Sequence, residues 1–457
     1  MSILGTVVRP LRVAIVGSGP SGFYAAADLL SQSLEIKVDM FEKLPVPYGL
    51  MRYGVAPDHP KIKNVSKTFE KTALNTKFSF LGNVTVGKNI TVFELRKFYD
   101  AVIFTIGAEA DRRLGITGED LVGSYTATEF VAWYNGHPEF QDHHFDFSQE
   151  IAVIIGQGNV AMDVARILSK TTDELKKTDI TQHALEVLAE SKIKEVHVYG
   201  RRGPVQASFT SPEIKEMDEL IDSYPVINPG DMELNEASVK ELEDPKMSGH
   251  RKNYEILKHM LSVDPKGRHR RFYLHFFRSP LEIIGKGHVQ RIRFEVNKLF
   301  GEPGNQKVRG TGVIEERDCG IVLRSVGYRG IPIKGLPFSE QNGIIPNQGG
   351  RVMDSEQIYN GWYVAGWIKR GATGIIGTNK PCAEETVMNL LEDIEHLNPC
   401  PEPNTESVLK LLKDREVRVV NFEEWKKIDA AEIERGLKFE KPREKFARVT
   451  GMLSSIS

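Results

Sequence analysis

The residues Gly17-Ser18-Gly19-Pro20-Ser21-Gly22 and Gly156-Gln157-Gly158-Asn159-Val160-Ala161 share a spacing suited to one piece of chemistry. Glycines at these places permit a tight strand-to-helix turn and let the backbone approach a pyrophosphate, which helix N-terminal amides then hold. The strand after the first turn ends at Glu42, and the strand matching the second runs into Arg201-Arg202. A carboxylate accepts hydrogen bonds from a free ribose diol and repels a 2′-phosphate. Paired arginines offer charge-assisted, fork-shaped contacts to that phosphate. The pattern therefore predicts FAD on the first turn and NADPH on the second.

A glycine-rich turn alone is weak support, so the flanking elements matter. Residues 11–16 read as a buried strand before Gly17, 23–30 as the following helix and 38–42 as the next strand. The second copy repeats this with a strand at 151–155 and a helix through 164–168. Its return strand at 195–199 is delayed by a helical stretch at 182–192. A strand at 99–108 leaves the first unit, and one at 321–328 reads as its counterpart coming back. The expected fold class is α/β, with two Rossmann-like dinucleotide-binding domains and the NADP domain inserted in the FAD domain. The predicted FAD domain comprises residues 1–107 and 328–457, the latter with a C-terminal helical tail, and the NADP domain residues 108–327. Within the last part, 361–367 reads as a strand into a glycine-rich loop and 382–397 as a helix. Pro399 to Pro403 break the pattern before a charged, mostly helical tail.

A chain of 457 residues with net charge −2 and 40% hydrophobic residues fits a soluble protein of two or three domains. No apolar run approaches the roughly 20 residues that span a bilayer, so no membrane insertion is expected. The few residues before the first strand predict no leader peptide. Cys319, Cys382 and Cys400 are far apart and make no metal-binding or CxxC pattern, so no metal is expected. They point to a reducing, cytoplasmic setting, and the dithiol of disulfide-reducing flavoenzymes is missing.

Four longer motifs resemble adrenodoxin-reductase-like ferredoxin–NADP(+) reductases. They are Pro45-Val46-Pro47-Tyr48-Gly49-Leu50-Met51-Arg52-Tyr53-Gly54-Val55-Ala56-Pro57-Asp58-His59-Pro60, residues 155–168 around the second glycine turn, Arg201-Arg202-Gly203-Pro204, and Gly371-Ala372-Thr373-Gly374-Ile375-Ile376-Gly377-Thr378-Asn379-Lys380. Ala372 stands where proline is expected, and Trp367 where related disulfide reductases usually carry aspartate. The resemblance implies that Leu50, Val86, Trp367, Gly374, Ile375 and Ile376 join Gly17, Gly19, Pro20, Ser21, Gly22 and Glu42 around FAD. It implies that Gln157, Gly158, Asn159, Val160, Arg201, Arg202, Glu213 and Gly374 line the NADP site. Glu213 there could orient the arginines or bond a ribose hydroxyl. On the residues alone, His59 is either a turn residue or a catalytic one. The resemblance places it near the flavin, paired with Glu216, to position the nicotinamide and manage protons, since hydride transfer needs no protein nucleophile.

From Arg251 to Arg293 the chain carries eleven Lys or Arg against three Asp or Glu. No nucleic-acid recognition motif accompanies the run. An acidic ferredoxin, or a flavodoxin, fits better as a transient partner, and the family leans monomeric. The expected reaction is hydride transfer from NADPH to FAD, then single-electron transfer to an iron–sulfur protein, or the reverse. An NADPH-dependent flavin reductase of quinones or other small acceptors, and a non-catalytic nucleotide-binding subunit of a larger complex, are the alternatives.

Overall fold

The strands that lead into the glycine turns are buried almost throughout, which demands a sheet covered on both faces, and this is how they fold. The computed structural model describes residues 3–457. In the first unit, strands Gln357–Val364, Ala101–Phe104, Leu11–Val16, Ile36–Phe41 and Phe78–Leu81 lie side by side and parallel. Asn347–Gln348 and Arg351–Asp354 extend that sheet antiparallel at one edge. Alternate residues of one strand serve opposite cores. Leu11, Val13 and Ile15 pack with Phe23, Phe69 and Trp425, whereas Ala14 and Val16 pack with Phe104, Trp362 and Val408. A strand buried on both sides has no polar face to display, hence its largely apolar sequence, and its one charge, Arg12, is buried and paired with Asp39 at 2.6 Å.

The second unit is a six-stranded sheet of Ser124–Thr126, Ile321–Arg324, Ile151–Ile155, Glu195–Tyr199, Arg270–His275 and Ser223–Ile227, all parallel. An antiparallel sheet of Arg278–Ile284, Arg291–Phe300 and Lys307–Asp318 packs beside it. One correction to the sequence reading follows. Ile321–Arg324 is not a strand returning to the first unit; it pairs with Ile151–Ile155 inside the second sheet. Its four residues are all buried, and such a run fits the middle of either sheet equally well. The chain actually returns through Tyr328–Arg329, which pairs antiparallel with the outgoing Ala110–Asp111.

The tail closes back on both units. Helices Thr405–Asp414 and Phe422–Leu437 bury Val408, Leu412, Trp425 and Ile428 against the first sheet. Glu432, fully buried on the second of these, pairs with buried Arg52 at 2.5 Å. Beyond it, Lys445 reaches Asn135 and Asp179 of the second unit. Among the described residues no helix is long and apolar enough to cross a membrane.

Candidate functional site

The glycines of the two turns divide into two kinds. Gly17 has φ +105°, and a Cβ there would lie 2.7 Å from the Thr105 carbonyl oxygen. Gly22 backs onto the Gly17 carbonyl, and Gly156 (φ +124°) onto the Ser325 carbonyl, too closely for any side chain. Protein packing alone requires these residues to be glycine. Gly19 and Gly158 are different: an added Cβ would meet nothing within 4 Å. Both cap the N-terminus of a helix, Pro20–Ser31 and Asn159–Ser169, with no side-chain cap. Open backbone at an uncapped helix N-terminus fits a pyrophosphate, so the residues present suit two dinucleotides.

Glu42 follows strand Ile36–Phe41 and lies over the first turn. Its carboxylate accepts from the Ser18 N–H at 3.1 Å, the Ser18 hydroxyl at 2.6 Å and the Leu44 N–H at 3.1 Å. Burial raises its pKa, against the pull of these donors. Val86 is buried in the core beside Phe41, just past Val84, whose N–H donates to the Glu42 carbonyl. The proline-rich loop folds onto the same turn: the Tyr48 N–H donates to the Ser18 carbonyl, and Gly49 (φ +48°) lies against Gly19. This sets Leu50 at the cleft, 39% exposed. From the far end of the chain, Gly366 packs against Ser21, and the Ser21 hydroxyl donates to Asn379 at 3.1 Å. The loop between them carries Trp367, whose indole donates to the Thr373 carbonyl and stacks on Tyr328 at 5.5 Å. Gly374 (φ +81°) turns this loop against Thr378. Ile375 is left 61% exposed and Ile376 half-buried. Exposed Leu50 and Ile375 beside an open turn are apolar surface suited to a flat aromatic ring.

At the second turn, Gln157 donates to the His275 carbonyl and lies against Gly200, tying the turn to the end of strand Glu195–Tyr199. Asn159 accepts from the Thr210 N–H at 2.8 Å, and Val160 packs on the unit's core. Arg201 and Arg202 follow Gly200. Their carbonyls are pinned by Asn297 and the Phe277 N–H, while their side chains are exposed. Among the described residues neither guanidinium has a carboxylate partner. Glu213 does not orient them; it lies elsewhere.

Glu213 belongs to a cluster that joins the two units. Asp58 and His59 come from the first unit, Asp163, Arg166 and Lys170 from the Asn159–Ser169 helix and its cap, and Glu213 and Glu216 from helix Ser211–Glu216. His59 Nε2 lies 2.7 Å from Glu216 and 3.9 Å from Glu213, and Nδ1 lies 3.8 Å from Asp163. Arg166, 1% exposed, pairs with Asp58, Asp163 and Glu213. Burial disfavours the His59 cation, but the Glu216 hydrogen bond and nearby carboxylates raise its pKa. Burial likewise opposes ionised Glu216, yet the His59 bond and Arg166 hold its pKa low. Glu213 goes the other way: burial and the Asp163 charge push it up to about 7. Two neighbouring carboxyls separated in this way can act as a base and a proton store. The ligand atoms of His59, Glu213 and Glu216 lie within 4.8 Å of one another. The guanidinium of Arg166 already supplies the countercharge that a metal would bring.

Sequence reading passed over Arg166, Asp163 and Arg112. The first two sit in the quoted 155–168 motif, but a pair three apart on a helix reads as an ordinary surface ion pair. Arg112 is exposed and lines a cavity of about 260 Å³ at the junction of the units. Its Nε donates to the Tyr328 carbonyl, and its N–H to the carbonyl of Gly327, in the segment that flanks Gly156.

The predicted basic face is less basic than its sequence. Six of the eleven cations between 251 and 293 have carboxylate partners: Lys258, Arg270, Arg271, Arg278, Arg291 and Arg293. Most of those partners, including Glu195, Asp222, Asp231 and Glu316, lie outside the run. Arg251, Lys252, Lys266, Arg268 and Lys286 have none among the described residues. Arg251 and Lys252 lie on helix Ser248–Met260, which packs on the Glu213 helix through a 2.6 Å bond between Ser211 and Asn253.

Residues 11–215 match the family model for pyridine nucleotide-disulphide oxidoreductases. The chain is 45% identical to the NADPH-ferredoxin reductase FprA of Mycobacterium tuberculosis, over 98% of this chain and 99% of that protein. It is 42% identical to the mitochondrial NADPH:adrenodoxin oxidoreductase of Homo sapiens, over 97% and 91%. The solved structure of Mycobacterium tuberculosis FprA in complex with NADPH superposes with a TM-score of 0.92 at 44% identity, covering 98% of this chain and all of that one. With two open dinucleotide turns in two units that one ionised cluster joins, the chain belongs to the adrenodoxin-reductase-like NADPH–ferredoxin reductases.

Proposed function

We propose that this protein is an FAD-containing ferredoxin–NADP(+) oxidoreductase. The observation that carries the reading is the His59–Glu216 pair, which joins the unit of one open turn to the unit of the other, in a chain whose cysteines are separate and buried. When bound, FAD would supply a carrier that accepts one hydride from NADPH and releases its two electrons one at a time. The chain's own residues bind, orient and manage protons. Gly19 and the Pro20–Ser31 helix N-terminus support the FAD pyrophosphate, Glu42 its ribose, and Leu50, Trp367 and Ile375 its ring. Gly158 supports the NADP(H) pyrophosphate, while Arg201 and Arg202 take the 2′-phosphate. Arg112 is a further candidate for the dinucleotide phosphates. His59, hydrogen-bonded to Glu216, positions the nicotinamide end and holds a proton there.

The electrons then leave to a ferredoxin-type iron–sulfur protein. We place its docking site on the rim formed by helix Ser248–Met260, where Arg251 and Lys252 lack carboxylate partners among the described residues, beside the Glu213 helix. Both turns and the cluster come from one chain, so a monomer suffices for the reaction. Three buried, unpaired cysteines suit the reducing cytoplasm. The test is anaerobic addition of NADPH to the yellow holoprotein. The flavin absorbance should bleach, and cytochrome c reduction should then depend on added ferredoxin. A colourless protein, or cytochrome c reduction independent of ferredoxin, overturns the reading.

A further inference from the structure

His59 faces two glutamates on one helix and bonds only one of them. Glu216 takes the imidazole at 2.7 Å; Glu213 stays 3.9 Å away. The reason is visible at Arg166. The Glu213 oxygen nearest His59, Oε2, is the one that accepts from Arg166 Nη1 at 3.1 Å. Arg166 Nε remains 3.5 Å from Glu216, close enough to favour its ionised form without taking its hydrogen bond.

The same guanidinium holds the units together. Nε and Nη2 donate to the two Asp58 oxygens at 2.7 and 3.0 Å, and Nη2 also to Asp163 at 2.6 Å. Lys170 adds a second cation on Asp58 at 2.7 Å. Asp58 precedes His59 in the chain, and Arg166 lies two turns beyond Gly158 on the same helix. One side chain thus links the second nucleotide turn to the imidazole. Facing this knot from helix Ala127–Tyr134 is the buried Tyr134 hydroxyl, which has no hydrogen-bond partner among the described residues. From the return segment, Tyr328 also faces Asp163. Only a planar fork with five donors can serve three carboxylates in these directions; an ammonium cannot.

We propose that Arg166 is a positioning residue: it locks the two nucleotide units together through Asp58 and dictates which glutamate takes the hydrogen bond from His59. Engaging Glu213 leaves Glu216 as the imidazole's partner. This rests on the role assigned above to His59 and Glu216.

The test is the pH profile of flavin reduction by NADPH, followed by rapid mixing of the holoenzyme. Arg166→Lys keeps the charge but loses the fork, so Glu213 is freed to compete for His59. The apparent carboxyl pKa in the profile should rise by about one unit, and the rate fall several-fold. Glu213→Gln removes the competitor, so Arg166→Lys/Glu213→Gln should superimpose on Glu213→Gln alone. An unmoved profile in Arg166→Lys, or a shift that persists in the double variant, overturns the proposal. If Arg166→Lys fails to fold with flavin, Asp58→Asn loosens the fork from the other unit and should shift the profile in the same direction; no shift there also overturns it. His59→Gln separates the two readings. If it leaves rate and profile unchanged, the role of the His59–Glu216 pair falls whatever Arg166→Lys does.

Discussion

Gly17 stands so close to Thr105 that a Cβ on it would lie 2.7 Å from the Thr105 carbonyl oxygen. Two residues on, a Cβ on Gly19 would meet nothing within 4 Å. The same contrast recurs at Gly156, pressed on Ser325, and at open Gly158. One glycine in each turn is required by the protein itself and the other by what the protein holds.

Alanine substitutions should therefore separate fold from ligand. Gly17→Ala and Gly156→Ala force backbone apart at a positive φ and should destabilise the chain by about 1–3 kcal/mol or more. Gly19→Ala and Gly158→Ala should leave the melting temperature of the ligand-free protein almost unchanged. Gly19→Ala should lose FAD, and Gly158→Ala should raise the KM for NADPH at least tenfold. Equal melting temperatures for Gly17→Ala and Gly19→Ala would refute the distinction.

The turns were legible in the sequence because their requirements are local: an apolar strand, three small residues and a helix. The Ile321–Arg324 strand was legible as a strand but not as to its sheet, since burial on both faces erases any sign of the neighbours. Arg166 was not legible as the centre of the site. Its partners lie at 58, 213 and 216, and only the tertiary fold brings them together. The basic run overstates its net charge for the converse reason, because the carboxylates that neutralise Arg271, Arg278 and Arg291 sit at 195, 231, 316 and 318.

Exposed Arg201 and Arg202 make no ion pair among the described residues, so removing them should cost little stability. Each charge-assisted contact to a 2′-phosphate contributes about 1.5–3 kcal/mol. Arg201→Ala/Arg202→Ala should thus raise the KM for NADPH by about a hundredfold or more while leaving that for NADH nearly unchanged. Steady-state ferredoxin reduction with each nucleotide measures this. A double variant that still prefers NADPH contradicts the assignment.

Buried His197 predicts an acid-sensitive second unit. Its Nδ1 meets His275 Nε2 at 2.9 Å, its Nε2 meets Glu195 at 3.0 Å, and its ring stacks on Tyr273 at 4.2 Å. With Nε2–H donating to Glu195 and Nδ1 accepting from His275, both contacts are satisfied with one proton per ring. Burial, with Arg317 and Arg271 nearby, holds its pKa down at about 3. The unfolded histidine titrates near 6.5. Below that pH the unfolded chain binds the extra proton and the folded one does not, so stability falls as the pH drops toward 3 and is fully present above 6.5. The slope is at most about 1.4 kcal/mol per pH unit. Denaturant unfolding at about pH 7.5 and about pH 5 should show a smaller loss for His197→Phe, which still stacks but cannot titrate. An equal loss in both proteins would exclude this origin.

Ferredoxin docking should distinguish lone cations from paired ones. Lys252, on the helix that packs against the Glu213 helix, is exposed and has no carboxylate partner among the described residues, whereas Arg293 is tied to Glu282 and Glu316. A rim charge steers a partner through its long-range field, and that field is screened beyond about 10 Å at 0.1 M salt. Lys252→Glu should lower kcat/KM for an acidic ferredoxin about tenfold at low salt, and the gap should close as salt is added. Arg293→Glu reverses the same charge but on the antiparallel sheet, so with the rim on the Ser248–Met260 helix its effect should be smaller and less dependent on salt. Flavin reduction by NADPH should be unchanged in Lys252→Glu, because no ferredoxin takes part in that step. If Arg293→Glu proves the more damaging substitution, the docking rim lies on the antiparallel sheet and not on the Ser248–Met260 helix.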